Sequence, residues 1–418
     1  MPDSPAPLRR AAQDWRVLVG VFWVTQMIES LGVSQVYALL PSYLRQMGVP
    51  EADRVPFVGL FSSLVFVLGL PLVPLWGVWA DKVSRKAVIV RSCLVEVAVF
   101  GVAALAREPW QMAVAVMLIG LQLGNTGVML AGIRDVTPRP RLGVTMALFG
   151  VAAPVGFALG PVLAGVQIDA LGWSISGVYA FAAVLSLGTA ALVTFGTREV
   201  RPEVIPVGPV LRLAFGAVRG VLGDPDVRRL FAVYGVVFLA NQVSRPYTPL
   251  LVEGIVGTGV GLATGIGLVM GVGSLVGALT APAAGALGDR IGFRPVLVVA
   301  LAAGGIASLL MAVVAWLWAM TLVSILLGAA VATTGAMVFS MLATEVPAER
   351  RSTTLNLVYL PLYVAGIIGP ATGSVIASST GPSGPFVLGA VVFLAGSAAV
   401  ALRGQGAGRS GGRKPAAA

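Results

Sequence analysis

Along this chain the hydrophobic positions gather into long, nearly unbroken runs separated by short polar or charged stretches. Six runs, at residues 17–44, 55–79, 87–106, 110–133, 146–168 and 173–195, are followed by six more at 230–251, 262–287, 295–315, 317–343, 354–377 and 386–402. A helix rises about 1.5 Å per residue, so a run of roughly 20 residues crosses the hydrocarbon layer of a bilayer. A single segment in lipid must satisfy its own backbone hydrogen bonds, which makes each run a helix. The pattern predicts an all-α polytopic membrane protein of twelve transmembrane helices.

Between the sixth and seventh runs the pattern changes. Residues 196–229 carry Arg198, Arg201, Arg212, Arg219, Arg228 and Arg229 among Pro202, Pro206, Pro209 and Pro225, and read as a linker between halves. Residues 210–222 within it predict a short amphipathic helix on the membrane surface. The first apolar run is too long for a signal-peptide core and is read as a retained helix. The tail from Arg403 is rich in Gly, Ala and Arg and is expected to be disordered. The expected organisation is therefore a six-helix bundle at 1–195, a cytoplasmic linker at 196–229, a second six-helix bundle at 230–402 and a disordered basic tail at 403–418.

Composition excludes a soluble chain: 57% of the 418 residues are hydrophobic and 11% charged. There is no histidine, and Cys93 is the only cysteine, so intrachain disulfides, cysteine metal sites and histidine catalysis are excluded. No phosphate-cradling glycine loop is present, which argues against an ATP-driven pump, and neither enzymatic activity, a metal nor a cofactor is expected. Of the 28 Lys and Arg residues, only Arg45, Arg54 and Arg107 fall on the side opposite the termini, with Arg245 inside a helix. By the positive-inside bias both termini are expected in the cytoplasm, in a multi-pass protein of the inner or plasma membrane. The same bias accounts for the net charge of +10 through topology and anionic-lipid contact, with no nucleic-acid partner.

The charges concentrate in one short loop, GVWADKVSRK at residues 77–86, which recurs as GALGDRIGFR at 285–294, an offset of 208 residues. Pro41 answers Pro249, RDVTPRPRLG at Arg134 answers TEVPAERRST at Thr344, and Gly160-Pro161 answers Gly369-Pro370. This is a tandem repeat, and an even number of spans per half places the halves in parallel. The loop resembles the signature of the major facilitator superfamily, with Gly77, Ala80, Asp81, Lys82, Arg85 and Lys86 matching and Ser84 where the family usually has Gly. The resemblance implies two bundles rocking about a central cavity, with a gate formed by Gly77, Asp81, Arg85 and Lys86. Asp135 is the acid expected to pair with Arg85 and close the cytoplasmic side. In the second copy Asp289 and Arg290 match and Glu345 is the corresponding acid, but Phe293 replaces Arg85, so a weaker lock is expected there. Residues 156–165, GFALGPVLAG, resemble the fifth-helix motif of drug:proton antiporters through Gly156, Gly160, Pro161 and Gly165. Small residues there permit close packing, and Pro161 is placed to kink the helix. One departure is that the fourth run lacks the intramembrane Arg usual in those antiporters, which puts proton coupling through such a residue in doubt.

Polar groups inside the runs mark the candidate site, because they are costly in a membrane. Gln26, Glu29, Val33 and Tyr37 share one face of the first helix, and Glu29 lies about 18 Å along it, near mid-membrane. A carboxyl there favours its neutral form when dry and ionises when wet, so Glu29 is the candidate for proton coupling. Its structural alternative is a permanently hydrogen-bonded packing residue. Tyr234, Phe238, Asn241 and Arg245 share a face of the seventh run, Gln122, Asn125 and Met129 one of the fourth, and Asn356, Tyr359 and Tyr363 one of the eleventh. The resemblance assigns the first, fourth and seventh to the cavity wall. Arg245 reads either as a cavity cation that binds an anion or balances Glu29, or as an interface anchor. Glu96, five residues after Arg91 on the third run, is expected to be structural.

The function expected is secondary active export of small amphipathic or drug-like molecules by alternating access, coupled to proton entry. Its partners would be a small-molecule substrate, protons and membrane lipids, and the protein a monomer. Two alternatives stay open. One is a carrier for a polar metabolite such as a sugar, using Gln26, Gln35, Gln122, Asn125, Asn241 and Gln242; the other is a membrane sensor or binding protein that does not transport.

Overall fold

Local signals at the ends of the apolar runs decide where each helix starts and stops. In the computed structural model, which describes residues 14–202, 205–345, 357 and 360–410, α1 spans Trp15–Gln46 and starts on Asp14, whose carboxylate accepts from the Arg16 N–H. The helix α2 (Glu51–Lys82) follows, with one turn residue at Leu68, and then α3 (Arg85–Leu105). Only Val83 and Ser84 between them are non-helical, so the charged 77–86 stretch is mostly helix. Ser84 stands where the resembled family has Gly without strain: its φ is −167°, and its hydroxyl caps α3 by accepting from the Ala87 N–H at 2.9 Å. Then come α4 (Pro109–Val136), α5 (Arg139–Ala170), which ends in a π turn at Val166–Ala170, and α6 (Ile175–Gly196), capped by Ser174.

The connecting stretch contains α7 (Val210–Gly223). This helix, expected to lie on the membrane surface, packs on the Gly69–Lys82 part of α2 and on the next helix, with Ala214 fully buried and Leu211 and Phe215 exposed. That next helix is α8 (Pro225–Ser244), leading through a 3-10 turn at Arg245–Tyr247 into α9 (Thr248–Val256). The remaining helices are α10 (Leu262–Ile291), α11 (Phe293–Val313), α12 (Leu317–Glu345), α13 (Leu360–Thr380) and α14 (Gly384–Ser410). The last continues past Arg403, where a disordered tail was expected. Among the described residues there is no strand, and eleven helices are long and apolar enough to cross a membrane; the interrupted α8–α9 segment is not among them.

The buried apolar side chains show how the two halves of the chain meet. Near the end bearing Arg45 and Arg54, one cluster joins both halves, with Leu40, Tyr43 and Phe66 from the first and Tyr247, Leu250 and Tyr363 from the second. Toward the Asp81 end the core divides. One cluster there is built only from the first half, around Phe22, Ile89 and Ile133, and another only from the second, around Phe231, Leu297 and Phe393. A shared core at one end and two separate cores at the other leave a space between the halves.

Candidate functional site

That space is a cavity of about 610 Å³. The α1 face contributes Gln26, Glu29 and Tyr37, and α8 contributes Tyr234, Phe238 and Asn241, followed by Arg245. Gln122 and Tyr363 also line it, whereas Asn356 and Tyr359 lie outside the described residues. The face expected on α4 is not continuous. At Gly124 the backbone takes φ +99°, a left-handed conformation that favours glycine, and the helix restarts at Asn125. The restart changes the register, so Thr126, Gly127 and Ala131 face the cavity, while Met129 is fully buried among Leu18, Phe22 and Cys93. Asn125 is not in the cavity wall but lies behind it, bonded to Glu29.

The break in α4 organises the polar groups around it. It leaves the Gln122 carbonyl without its usual helical partner, and Ser92 Oγ donates to that oxygen at 3.0 Å and Arg91 Nη2 at 3.4 Å. Asn125 Nδ2 donates to Glu29 Oε2 at 2.6 Å, and Gln122 Nε2 donates to Glu96 Oε1 at 2.6 Å. Glu96, expected to be structural, is therefore bonded to a residue of the cavity wall. Arg91 stacks on Trp76, its guanidinium carbon 3.6 Å from the ring centroid. The fourth run has no cation of its own, yet an arginine from α3 stands at its break. Nothing in the Arg91–Glu96 spacing signals this, because the contacts are made between helices. Arg245 does not pair with Glu29; it lies over the rings of Tyr37, at 5.3 Å, and Phe157, at 4.7 Å.

The halves are tied together at the Arg45 end. Glu253 Oε1 accepts from Arg45 Nη1 at 2.7 Å and from Arg54 Nη1 at 2.9 Å, joining α9 to α1 and α2. In the sequence these arginines bear only on orientation, and nothing there marks Glu253 as their partner. Neutral bonds join the halves in the same region: Ser63 donates to the Ile367 carbonyl at 2.9 Å and Ser374 to the Pro56 carbonyl at 3.2 Å, while within the second half Tyr247 donates to the Pro370 carbonyl at 3.0 Å. The glycines of the α5 motif allow close helix packing. A Cβ at Gly156 would lie 2.2 Å from the Met27 carbonyl, and one at Gly160 would lie 2.0 Å from Ser34 Oγ, so both allow α5 to press on α1. Gly165 meets the Thr264 backbone of α10, where Asp169 accepts from the Thr264 N–H and hydroxyl, each at 2.7 Å. Pro161 lies within α5, its carbonyl against Gly267 of α10.

At the other end, Arg85 donates through Nε to Asp81 at 2.9 Å and through Nη1 to Asp135 at 2.6 Å. The expected pair forms, but all three residues belong to the first half, so it bridges α2, α3 and α4 and does not close the mouth between halves. Glu199, another residue missed from sequence, accepts from the Arg85 N–H at 2.8 Å and from the Ser84 hydroxyl, placing a carboxylate at the start of α3. Lys86 serves α6, donating to the carbonyls of Thr194 at 2.6 Å and Thr197 at 2.7 Å. Gly77, expected in the gate, has nothing within 4 Å of the position of its missing Cβ and sits within α2 beside the cavity. In the second copy, Asp289 and Arg290 are exposed and make no ion pair among the described residues, and Phe293, in place of an arginine, packs on Gly288.

This architecture has known counterparts. The chain is 27% identical over 383 residues to the multidrug resistance protein MdtG of Citrobacter koseri, covering 91% of this chain and 93% of that one. The MdtG of Enterobacter lignolyticus is 26% identical over 396 residues, covering 94% and 92%. Among solved structures, the human organic anion transporter MFSD10 (TETRAN) superposes with a TM-score of 0.69 at 19% identity, over 93% of this chain and all of that one. The nucleoside transporter NupG does so with a TM-score of 0.70 at 13% identity, over 92% and 98%. Residues 22–265 and 230–417 each match the family described as Major Facilitator Superfamily. With nearly the whole length matched, and the cavity between two differently joined ends, the chain belongs to the Major Facilitator Superfamily.

Proposed function

We propose that this protein is a secondary active transporter that exports small amphipathic molecules by alternating access, with proton entry as the driving reaction. The observation that carries this reading is a cavity closed at one end by contacts between halves and bounded at the other by two separate cores. Rocking the halves would exchange the closed and open ends, which is what a carrier needs. The cavity wall favours amphipathic cargo over a sugar: aromatic and aliphatic side chains such as Val65, Phe66, Phe157, Phe238 and Phe339 outnumber its polar groups. The MdtG relatives named for multidrug resistance support the same class. Efflux of a panel of lipophilic dyes from energised cells, and uptake into inverted vesicles with and without a pH gradient, tests this. Dye movement that ignores the gradient would remove the proton from the mechanism.

In this reading the α8–α9 segment is the twelfth crossing, and the chain forms two parallel six-helix repeats. The 3-10 turn at Arg245–Tyr247 lies where irregular backbone is tolerated, beside a cavity. Both termini and the Asp81 end are cytoplasmic, so the conformation described here is open toward the cytoplasm. Cysteine introduced at Gly48 should react with a membrane-impermeant thiol reagent added to intact cells, and cysteine at Ser84 should not. The native Cys93 is buried and contributes little background. Labelling at Ser84 in intact cells would reverse the orientation.

The Asp81–Arg85–Asp135 group holds α2, α3 and α4 together as one moving body. Asp81 is 37% exposed and its bond to Arg85 contributes little to stability, whereas Arg85 is buried. Asp81→Asn should therefore express normally and slow transport several-fold by altering the balance of conformers. Transport at the wild-type rate from normally expressed Asp81→Asn would count against this role.

A further inference from the structure

Arg245 stands between two spaces. One is the central cavity; the other is a cleft of about 660 Å³ between α5 of the first half and α10 and α12 of the second, and Arg245, Asn241, Phe157 and Phe339 belong to both walls. The two spaces differ in chemistry. The cleft is lined mainly by Gly, Ala, Pro, Val and Met residues, and among the described residues Arg245 is the only charged one in its wall. Leu148 and Leu279, beside lining residues of α5 and α10, are exposed where a bilayer would meet the helices.

The state of Arg245 is unusual for a cation at this depth. Among the described residues no carboxylate pairs with it, and no protein acceptor takes a hydrogen bond from its guanidinium. The rings of Tyr37 and Phe157 lie beside it at 5.3 and 4.7 Å to their centroids. Aromatic contacts hold a guanidinium in place while leaving its in-plane N–H donors able to grip a carboxylate or phosphate. An unpaired cation inside a membrane protein is costly, and an arriving anion relieves that cost.

We infer that Arg245 and the adjoining apolar cleft form one bipartite site for amphipathic anions, with the anionic head on Arg245 and the apolar tail in the cleft between α5, α10 and α12. The inference deepens the carrier reading by naming a substrate class, and it rests on that reading only in taking the cavity as a ligand site. A fatty carboxylate taken up from the membrane and an anionic phospholipid share this chemistry.

The test measures binding rather than transport, so its failure and that of the carrier reading are separable. Full-length protein in nanodiscs of neutral phosphatidylcholine is titrated with a dansyl-labelled undecanoate and with its methyl ester. The carboxylate should bind about tenfold more tightly than the ester, as expected for one charge-assisted contact. Arg245→Gln should abolish that preference. Leucine at Gly335 or Gly150 fills the cleft at positions with no neighbour within 4 Å of a new Cβ. Either variant should weaken the long-chain probe several-fold and leave a dansyl-labelled butyrate unchanged. Displacement of the probe by dodecanoate alone assigns the site to free amphiphiles, and displacement by phosphatidylglycerol assigns it to the lipid head group. Equal binding of acid and ester, or an undiminished preference in folded Arg245→Gln, overturns the site. Bound probe with no dye efflux would instead overturn the carrier reading and leave the site standing.

Discussion

Uphill, proton-driven export should fall by about a hundredfold or more in Glu29→Gln, the usual scale for removing a positioned proton-transfer group, while downhill exchange persists. Glu29 is buried on the cavity face of α1 and accepts from Asn125 at 2.6 Å. A glutamine keeps an acceptor oxygen for Asn125, so the helix contact survives, but it can neither bind nor release a proton. Two charged groups of α3 act on it electrostatically: Arg91, stacked on Trp76, and Glu96, bonded to Gln122. In the proposed cycle the cavity would alternate between wet and dry, the balance between ionised and neutral Glu29 would change with conformation, and that change would couple a proton to movement. The measurement is substrate accumulation in inverted vesicles under an imposed pH gradient, beside exchange without one. Wild-type uphill transport in Glu29→Gln would remove Glu29 from the mechanism. Glu96 would then be next, since the Gln122 amide brings it to the cavity wall.

Removing the Glu253 carboxylate should open the end that is sealed here. One carboxylate oxygen bonds both Arg45 and Arg54, and the Arg54 side chain is only 9% exposed. Glu253→Ala leaves two guanidinium groups facing each other without a counter-charge. Losing one partner of a fully buried pair costs about 3–5 kcal/mol, and this pair falls below that because Arg45 is 29% exposed. A cost of about 1.4 kcal/mol already shifts the balance of conformers tenfold. Ser374, bonded across the halves to the Pro56 carbonyl, reports the opening when replaced by cysteine. Its reaction with an impermeant thiol reagent should be about tenfold faster or more in the Glu253→Ala background. An unchanged rate would show that the apolar cluster around Tyr247 and Phe66 holds this end closed without the ion bridge.

The helical, membrane-spanning character of the chain was legible in the sequence because it rests on local chemistry. A run of apolar residues in lipid has to satisfy its own backbone hydrogen bonds, and capping residues such as Ser84 and Ser174 lie within a few positions of the ends they set. The faces of α1 and α8 were legible for the same reason: helical spacing alone brings Gln26, Glu29 and Tyr37, or Tyr234, Phe238 and Asn241, to one side. The face of α4 was not. One left-handed residue, Gly124, resets the register and sends Met129 into the core, and a glycine in a run announces such a break no more than it announces close packing. Glu253 escaped notice because its arginine partners lie about two hundred residues away in sequence. Asp81, Arg85 and Asp135 were recognised together, but that they join helices of one half, and so do not bridge the mouth, depends on how α2, α3 and α4 pack. Hydropathy and spacing act along one helix and so are set by the sequence itself. Which ends meet, which carboxylate serves which arginine, and that Arg245 faces two aromatic rings with no carboxylate paired to it among the described residues depend on distances between helices, which only the tertiary structure decided.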